Sequence, residues 1–255
     1  MNLIIICKQL DKTYINLVKY FNDDVLITIR VGKYFDVIYD HGIKQFSSYE
    51  QLLMELGNFL FEHKIINRLE CLDESLYDLA CSLKRDFAIN SGIEQYQINQ
   101  IYDKRFFKST NFMIKNNFFN KRLIGLIDEK SNILYKMTEE NNQFSIDVEP
   151  KLIDVISCLI KKLNIKKTYF DIYYNKDNLD VVDIIFCLPK PYYMDLLNFV
   201  NSVNGYEIFA KLIHNEEYHY QVNTKKVIIS NKGNLNNAFV TFQYDNQDIM
   251  VAFMD

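Results

Sequence analysis

"VVDIIFCLPKPYY", residues 181–193, decides how the rest of the chain is read. Apolar and β-branched positions surround one Asp, the pattern of a largely buried strand. The run follows the turn-like "NKDN" at 175–178 and stops at a Pro-x-Pro step, where a ladder loses its N–H donors. A strand that ends this way hands its last residues, Phe186-Cys187-Leu188, to whatever lies beyond the sheet.

Upstream of the turn, "TYFDIYY" at 168–174 alternates Asp171 with aromatic residues and reads as the partner strand of a hairpin. Before it, "PKLIDVISCLIKKLNI" is an amphipathic helix with Pro150 in its first turn, and "NKRLIGLIDEKSNILYKM" is a hairpin. After it, "YYMDLLNFVNSVNG" predicts a helix closed by Gly205 at its C′ position. "YEIFAKLIH" predicts a last helix, and "KKVIISNKG" with "AFVTFQYDNQDIMVAFMD" a β-rich tail.

The first hundred residues alternate strand and helix signals instead. "LIIIC" at 3–7 reads as a buried strand, and Tyr14, Leu17, Val18 and Phe21 form one helical stripe. "DVLITIR" and "YFDVIYD" are strand candidates around Gly32. "SSYEQLLMELGNFLFEHK" opens on a Ser47-x-x-Glu50 capping box. "INRLECL" predicts a strand, Asp73 an N-cap, and "IEQYQINQIYDKRFFKSTNFMIK" a further helix. This alternation predicts an open α/β layer through residue 103, followed by an α+β part over 104–255.

Composition removes several functions. The 255 residues carry 29 basic and 33 acidic side chains, a net charge of -4, which gives no electrostatic footprint for nucleic acid or an anionic membrane. No apolar run reaches the roughly 18 residues of a membrane span, and the N-terminus lacks a signal-peptide pattern, so a cytoplasmic protein is expected. Seven glycines never fall into a Walker or Rossmann phosphate loop. Five cysteines lie in apolar runs without a C-x-x-C, and four histidines provide no zinc signature, so neither disulfides nor a metal is expected. His214 and His219 stand five apart, off the helical register for shared ligation. "FFKSTNFMIKNNFF" interleaves basic and aromatic residues, a pattern of single-strand binders that the acidic balance of the chain turns into core aromatics.

Two blocks resemble the ATP-grasp ligases. Leu72-Asp73-Glu74, Leu79-Ala80-x-x-Leu83, Ile89-x-x-Gly92 and Tyr102-Asp103-Lys104 follow the order found at the end of the preATP-grasp domain. The segment from Leu159 to Ile213 looks like the C-terminal part of an ATP-grasp domain. The resemblance implies a preATP-grasp-like α/β domain over 1–103 and an ATP-grasp-like α+β domain over 104–255. The latter is truncated, because the interval between Lys104 and Asp171 is too short for the family's lid subdomain.

In that family the hairpin supplies an acid, then a Glu and an Asn before the prolines, and these hold the magnesium that bridges the ATP phosphates. Here Asp171 matches the acid and Pro189 and Pro191 match the prolines, but Phe186 takes the Glu position and Leu188 the Asn position. Magnesium requires oxygen ligands. Asp183 lies three residues before Phe186 and is expected on the opposite face. Lys104 matches a nucleotide-binding lysine, and Asp103-Lys104-Arg105 equally reads as the wet face of a helix. Asp171 equally reads as the wet side of a half-buried strand. The cleft candidates are Asp103, Asp171, Phe186 and Leu188, with Lys104 as a remnant nucleotide contact and no catalytic residue.

The function expected from the resemblance is therefore a degenerate ATP-grasp-like protein without its own catalysis. It would be a binding or partner subunit, such as one standing beside an active ligase, taking no cofactor and engaging a protein partner or a second copy, with no nucleic acid or membrane. One alternative is an active ATP-dependent carboxylate–amine ligase that uses ATP and magnesium through an altered site. Another is an unrelated α/β interaction protein of the immunity or inhibitor type, in which 181–187 would not pair with 168–174. Under the first reading Phe186 and Leu188 should both be buried against the helix around Leu196, Phe199 and Val200, or against a segment filling the emptied cleft.

Overall fold

The computed structural model describes residues 1–63, 65–103, 121–140, 143–175, 179, 181–219, 227–230, 240–244 and 247–253. Lys104 and the "FFKSTNFMIKNNFF" stretch lie outside the described residues. The first sheet has the order β4-β3-β2-β1-β5. Within it β1 (Asn2–Cys7) runs parallel to β2 (Val25–Val31) on one side and to the edge strand β5 (Arg68–Cys71) on the other. A strand covered on both faces needs an unbroken apolar run, and Leu3 to Cys7 are all buried. β3 (Phe35–Tyr39) and β4 (Gly42–Phe46) extend the sheet antiparallel. The sequence reading missed β4, whose first four residues are exposed and give no alternation.

Between these strands, α1 (Lys12–Val18) starts at Asp11, whose carboxylate accepts the Tyr14 N–H at 3.0 Å. The expected stripe packs as read, with Leu17 and Phe21 buried and Tyr14 and Val18 half-buried against them. α2 (Tyr49–His63) buries Leu52, Leu56 and Phe59. Its cap is shifted by one residue from the expected box. Ser48 Oγ accepts the Gln51 N–H at 3.3 Å, and Gln51 Oε1 accepts the Ser47 N–H at 2.9 Å. Asp73 caps a short 3₁₀ turn, Glu74–Leu76, that leads into α3 (Tyr77–Asp86). α4 (Gln95–Tyr102) is shorter than expected and ends where Asp103 turns extended.

The second sheet is antiparallel throughout, with eight strands in the order β10-β9-β6-β7-β8-β11-β13-β12. β6 (Lys121–Ile127), β7 (Ile133–Glu140), β9 (Thr168–Tyr174) and β10 (Val181–Ile185) are the two expected hairpins. β8 (Gln143–Ser145) was not expected. β11 (Val227–Ser230), β12 (Val240–Tyr244) and β13 (Gln247–Phe253) form the tail. The pairing of β10 with β9 removes the one structural expectation peculiar to the unrelated-fold alternative.

Alternation along β6 and β9 divides the sheet's two faces. Leu123, Ile127, Phe170 and Ile172 meet α5 (Pro150–Lys162), which has Pro150 at its first position, together with α3 and α4. Ile124, Leu126 and Tyr169 meet α6 (Pro191–Asn201) and α7 (Gly205–His214). That second core also takes Leu3, Ile5, Leu17 and Phe21 from the first sheet and its helix, so the two sheets share apolar packing.

Gly205 does not close α6, as the sequence suggested. Ser202 takes the left-handed cap, and Gly205 opens α7 because a Cβ there would stand 2.5 Å from Asn198 Oδ1 and 2.6 Å from Tyr169 Oη. Gly125 is needed for a similar reason, since its Cβ would lie 2.7 Å from the Tyr135 carbonyl oxygen and from Phe170 Cε1. Gly57, in the middle of α2, has open space around it. Gly125→Ala should therefore lower stability by about 1–3 kcal/mol, whereas Gly57→Ala should raise it by up to about 1 kcal/mol. Urea titration of both variants checks this.

Candidate functional site

The hairpin β9–β10 and its neighbours β6 and β7 build the site. Register places Asp183, Tyr173, Arg122 and Glu139 in one row across β10, β9, β6 and β7. Asp171 sits one step further along β9, opposite Ile124 and Ile185. This row lies on the sheet face that α6 covers.

Arg122 reaches diagonally to Asp171. Its Nε donates to Asp171 Oδ1 at 2.6 Å and its Nη2 donates to Oδ2. The two side chains are only 9% and 7% exposed, so the pair is desolvated and the carboxylate has no oxygen without a charged donor. The guanidinium carbon lies 3.6 Å from the centre of the Tyr193 ring, supplied by α6, and 5.1 Å from that of Tyr173. This geometry adds cation–π attraction to the ion pair. Glu139 Oε2 stands 3.6 Å from Arg122 Nη1. Burial pushes the Glu139 carboxyl above its ordinary pKa, and the nearby guanidinium only partly offsets this. The wet-face reading of Asp171 is thus corrected, because the strand's polar residue is buried with a charged partner.

Phe186 and Leu188 are both buried, at 3% and 5% exposure, but they part company. Leu188 packs with Met194, Leu196, Leu197 and Val200, as expected. Phe186 stays on the face of Ile184 and joins Tyr77, Cys81 and Ile93 on the α3–α4 side. Its N–H donates to Tyr77 Oη at 3.0 Å. Of the two expected places, α6 or a segment filling the cleft, Phe186 does not take α6, because the chain bends at Cys187 and crosses from one core to the other. Asp183 is exposed and faces away from Phe186, as its register required.

The remaining sequence candidates are not gathered here. Asp103 closes α4, its N–H donating to Asn99 O at 2.9 Å and Gln100 O at 3.3 Å. His214 hydrogen-bonds Asp24 Oδ2 at 2.7 Å and tilts against Phe21, a structural role. Arg122, Glu139 and Tyr193 were missed. The signal for Arg122 was its place at the head of the inward row Arg122-Ile124-Leu126, where a charge needs a buried partner.

The donor set does not fit magnesium. Hard cations take several oxygens, and here one carboxylate is closed by a guanidinium while the two following positions are hydrocarbon. Among the described residues no three His, Cys, Asp or Glu side chains are grouped to hold a metal ion, and no helix is long and apolar enough to cross a membrane.

The pair and its neighbour should respond oppositely to mutation. Arg122→Met strands a buried Asp171 and should cost about 3–5 kcal/mol. Glu139 is protonated more readily folded than unfolded, so its charge opposes folding at neutral pH and the opposition fades as pH falls through its raised pKa. Glu139→Gln should therefore match or exceed the parent's stability at pH 7, with the difference shrinking on acidification. Denaturant titrations from pH 7 downward measure both effects.

No protein-family model and no curated protein matches the sequence. Solved structures do match. The L-amino acid ligase from Bacillus licheniformis aligns over 99% of this chain and 93% of its own, at 7% identity and a TM-score of 0.65. Phosphoribosylglycinamide synthetase from Anaerococcus prevotii aligns over 99% and 93%, at 8% identity and 0.63. N5-carboxyaminoimidazole ribonucleotide synthetase from Thermotoga maritima aligns over 100% and 94%, at 9% identity and 0.62. Identities this low speak to architecture, and the architecture of this chain is an ATP-grasp-like fold.

Proposed function

We propose that the protein is a degenerate ATP-grasp-like binding or partner subunit that carries out no ligation and takes neither ATP nor magnesium. The observation that carries this reading is the closure of Asp171 by Arg122. A triphosphate with its metal would bring anionic oxygens and a hard cation against a filled carboxylate and against Phe186 and Leu188. Burying such charges without partners is strongly unfavourable.

The described part of the interval between Lys104 and Asp171 gives further support, since it consists of β6, β7, β8 and α5. A scaffold whose ligand positions are core and ion pair suits a protein used for its surface, with a protein partner or a second copy as the expected company. Calorimetric titration of the purified chain with Mg-ATP tests the proposal. No saturable heat is expected; micromolar binding would favour the alternative of an active carboxylate–amine ligase with a rebuilt metal site.

A further inference from the structure

A second polar cluster lies on the other side of Phe186, where the free edge of β5 meets α3, the turn at Ser91-Gly92 and the start of β9. It lines a cavity of about 20 Å³, inside some 300 Å³ of unfilled space that includes its open mouth. The walls are largely apolar, with Leu69, Ile98 and Phe186 among them. Two charged side chains interrupt them, Glu70 and Lys84, each only 6% exposed.

Neither charge is fully used. The Lys84 ammonium carries three N–H donors and has one hydrogen bond, to the Ile93 carbonyl oxygen at 2.9 Å. Glu70 Oε1 accepts from Arg68 Nε, and Arg68 Nη2 is turned away to the Lys167 carbonyl oxygen at 2.9 Å. Lys84 and Glu70 do not pair with each other, yet both approach one point. A Cβ on Gly92 would stand 2.9 Å from Lys84 Nζ and 3.8 Å from Glu70 Oε1. Gly92 is also left-handed, at φ +61°, so this position suits glycine twice over. Burial holds the Lys84 pKa below its ordinary value, with Glu70 as the chief opposing charge. An ammonium held this way opposes folding, and packing gives no reason for it.

The charges around the cavity decide the ligand class. Arg68, Glu70 and Glu94 act on Lys84, and Asp73, Glu74 and Asp78 act on the neighbouring Cys71, Tyr77 and Cys81. An added anion would meet this surplus of carboxylates, and an added cation would meet the buried Lys84 ammonium. A neutral group with an acceptor and a donor on adjacent atoms would satisfy both sides at once. We infer that this cavity binds the primary carboxamide of a small ligand, its carbonyl oxygen accepting from Lys84 Nζ and its NH₂ donating to Glu70. The tail would lie along Ile98 and Phe186 toward the mouth. This inference does not rest on the proposed function, since the cavity lies apart from the Arg122–Asp171 pair.

Propionamide is the probe, with propionate and propylammonium as charged counterparts of similar size. Propionamide should raise the thermal unfolding midpoint of the full chain saturably, and neither ion should. Lys84→Met should weaken that response by about tenfold or more. No response to propionamide, an equal response in Lys84→Met, or a stronger response to propionate would each overturn the inference. If Lys84→Met does not fold, a crystal structure of the parent grown with propionamide decides. The amide bridging Lys84 and Glu70 supports the inference, and water alone at that point refutes it.

Discussion

The buried pairing of Arg122 with Asp171 constrains the centre of the second sheet more than any other contact. Two charges under a helix are tolerable only when each satisfies the other in detail. The diagonal reach from β6 to β9 therefore ties their register, because a one-residue slip would send one member to the opposite face. Tyr193 closes the guanidinium from above, and that contact ties α6 to the same point. Strand pairing and helix placement are thus aspects of one arrangement.

Around that point the hydrocarbon is divided by strand alternation. Residues on one face of β6 and β9 join α5 and the α3–α4 region, and those on the other join α6, α7 and one face of the first sheet. The segment Phe186–Leu188 crosses between these cores and contributes one side chain to each. Tyr77, from the first half of the chain, receives the Phe186 N–H and so spans the junction as well. In such a junction a side chain is chosen for volume and lack of polarity, which is what these two positions contain.

Much of this was legible in the sequence because the signals were local. The apolar run at 3–7, the stripe of α1, the Pro-started α5 and the two hairpins each declare themselves within a dozen residues. The ends of the β9–β10 hairpin could likewise be matched to the ATP-grasp pattern position by position. What the sequence concealed depends on distant partners or on single contacts. Arg122 and Asp171 are 49 residues apart, so the strand carrying Asp171 could be read as half wet. β4 and β8 are too short or too exposed to leave a periodic trace. Gly205 reads as a helix stop until Asn198 and Tyr169 are seen crowding its missing Cβ. Lys84 and Glu70 look like ordinary surface charges on a helix and a strand, and only the fold turns them inward.

The central claim is that positions which would hold metal ligands in an ATP-grasp ligase have been absorbed into the packing of this protein. The most direct measurement is the stability of Phe186→Glu/Leu188→Asn by chemical denaturation. Each change removes a buried apolar side chain, and Leu188→Asn inserts a polar group without a partner among Met194, Leu196 and Val200, so the double variant should lose about 3 kcal/mol or more relative to the parent. A double variant as stable as the parent would contradict the claim, for it would mean that these side chains face solvent and that the site has been left open.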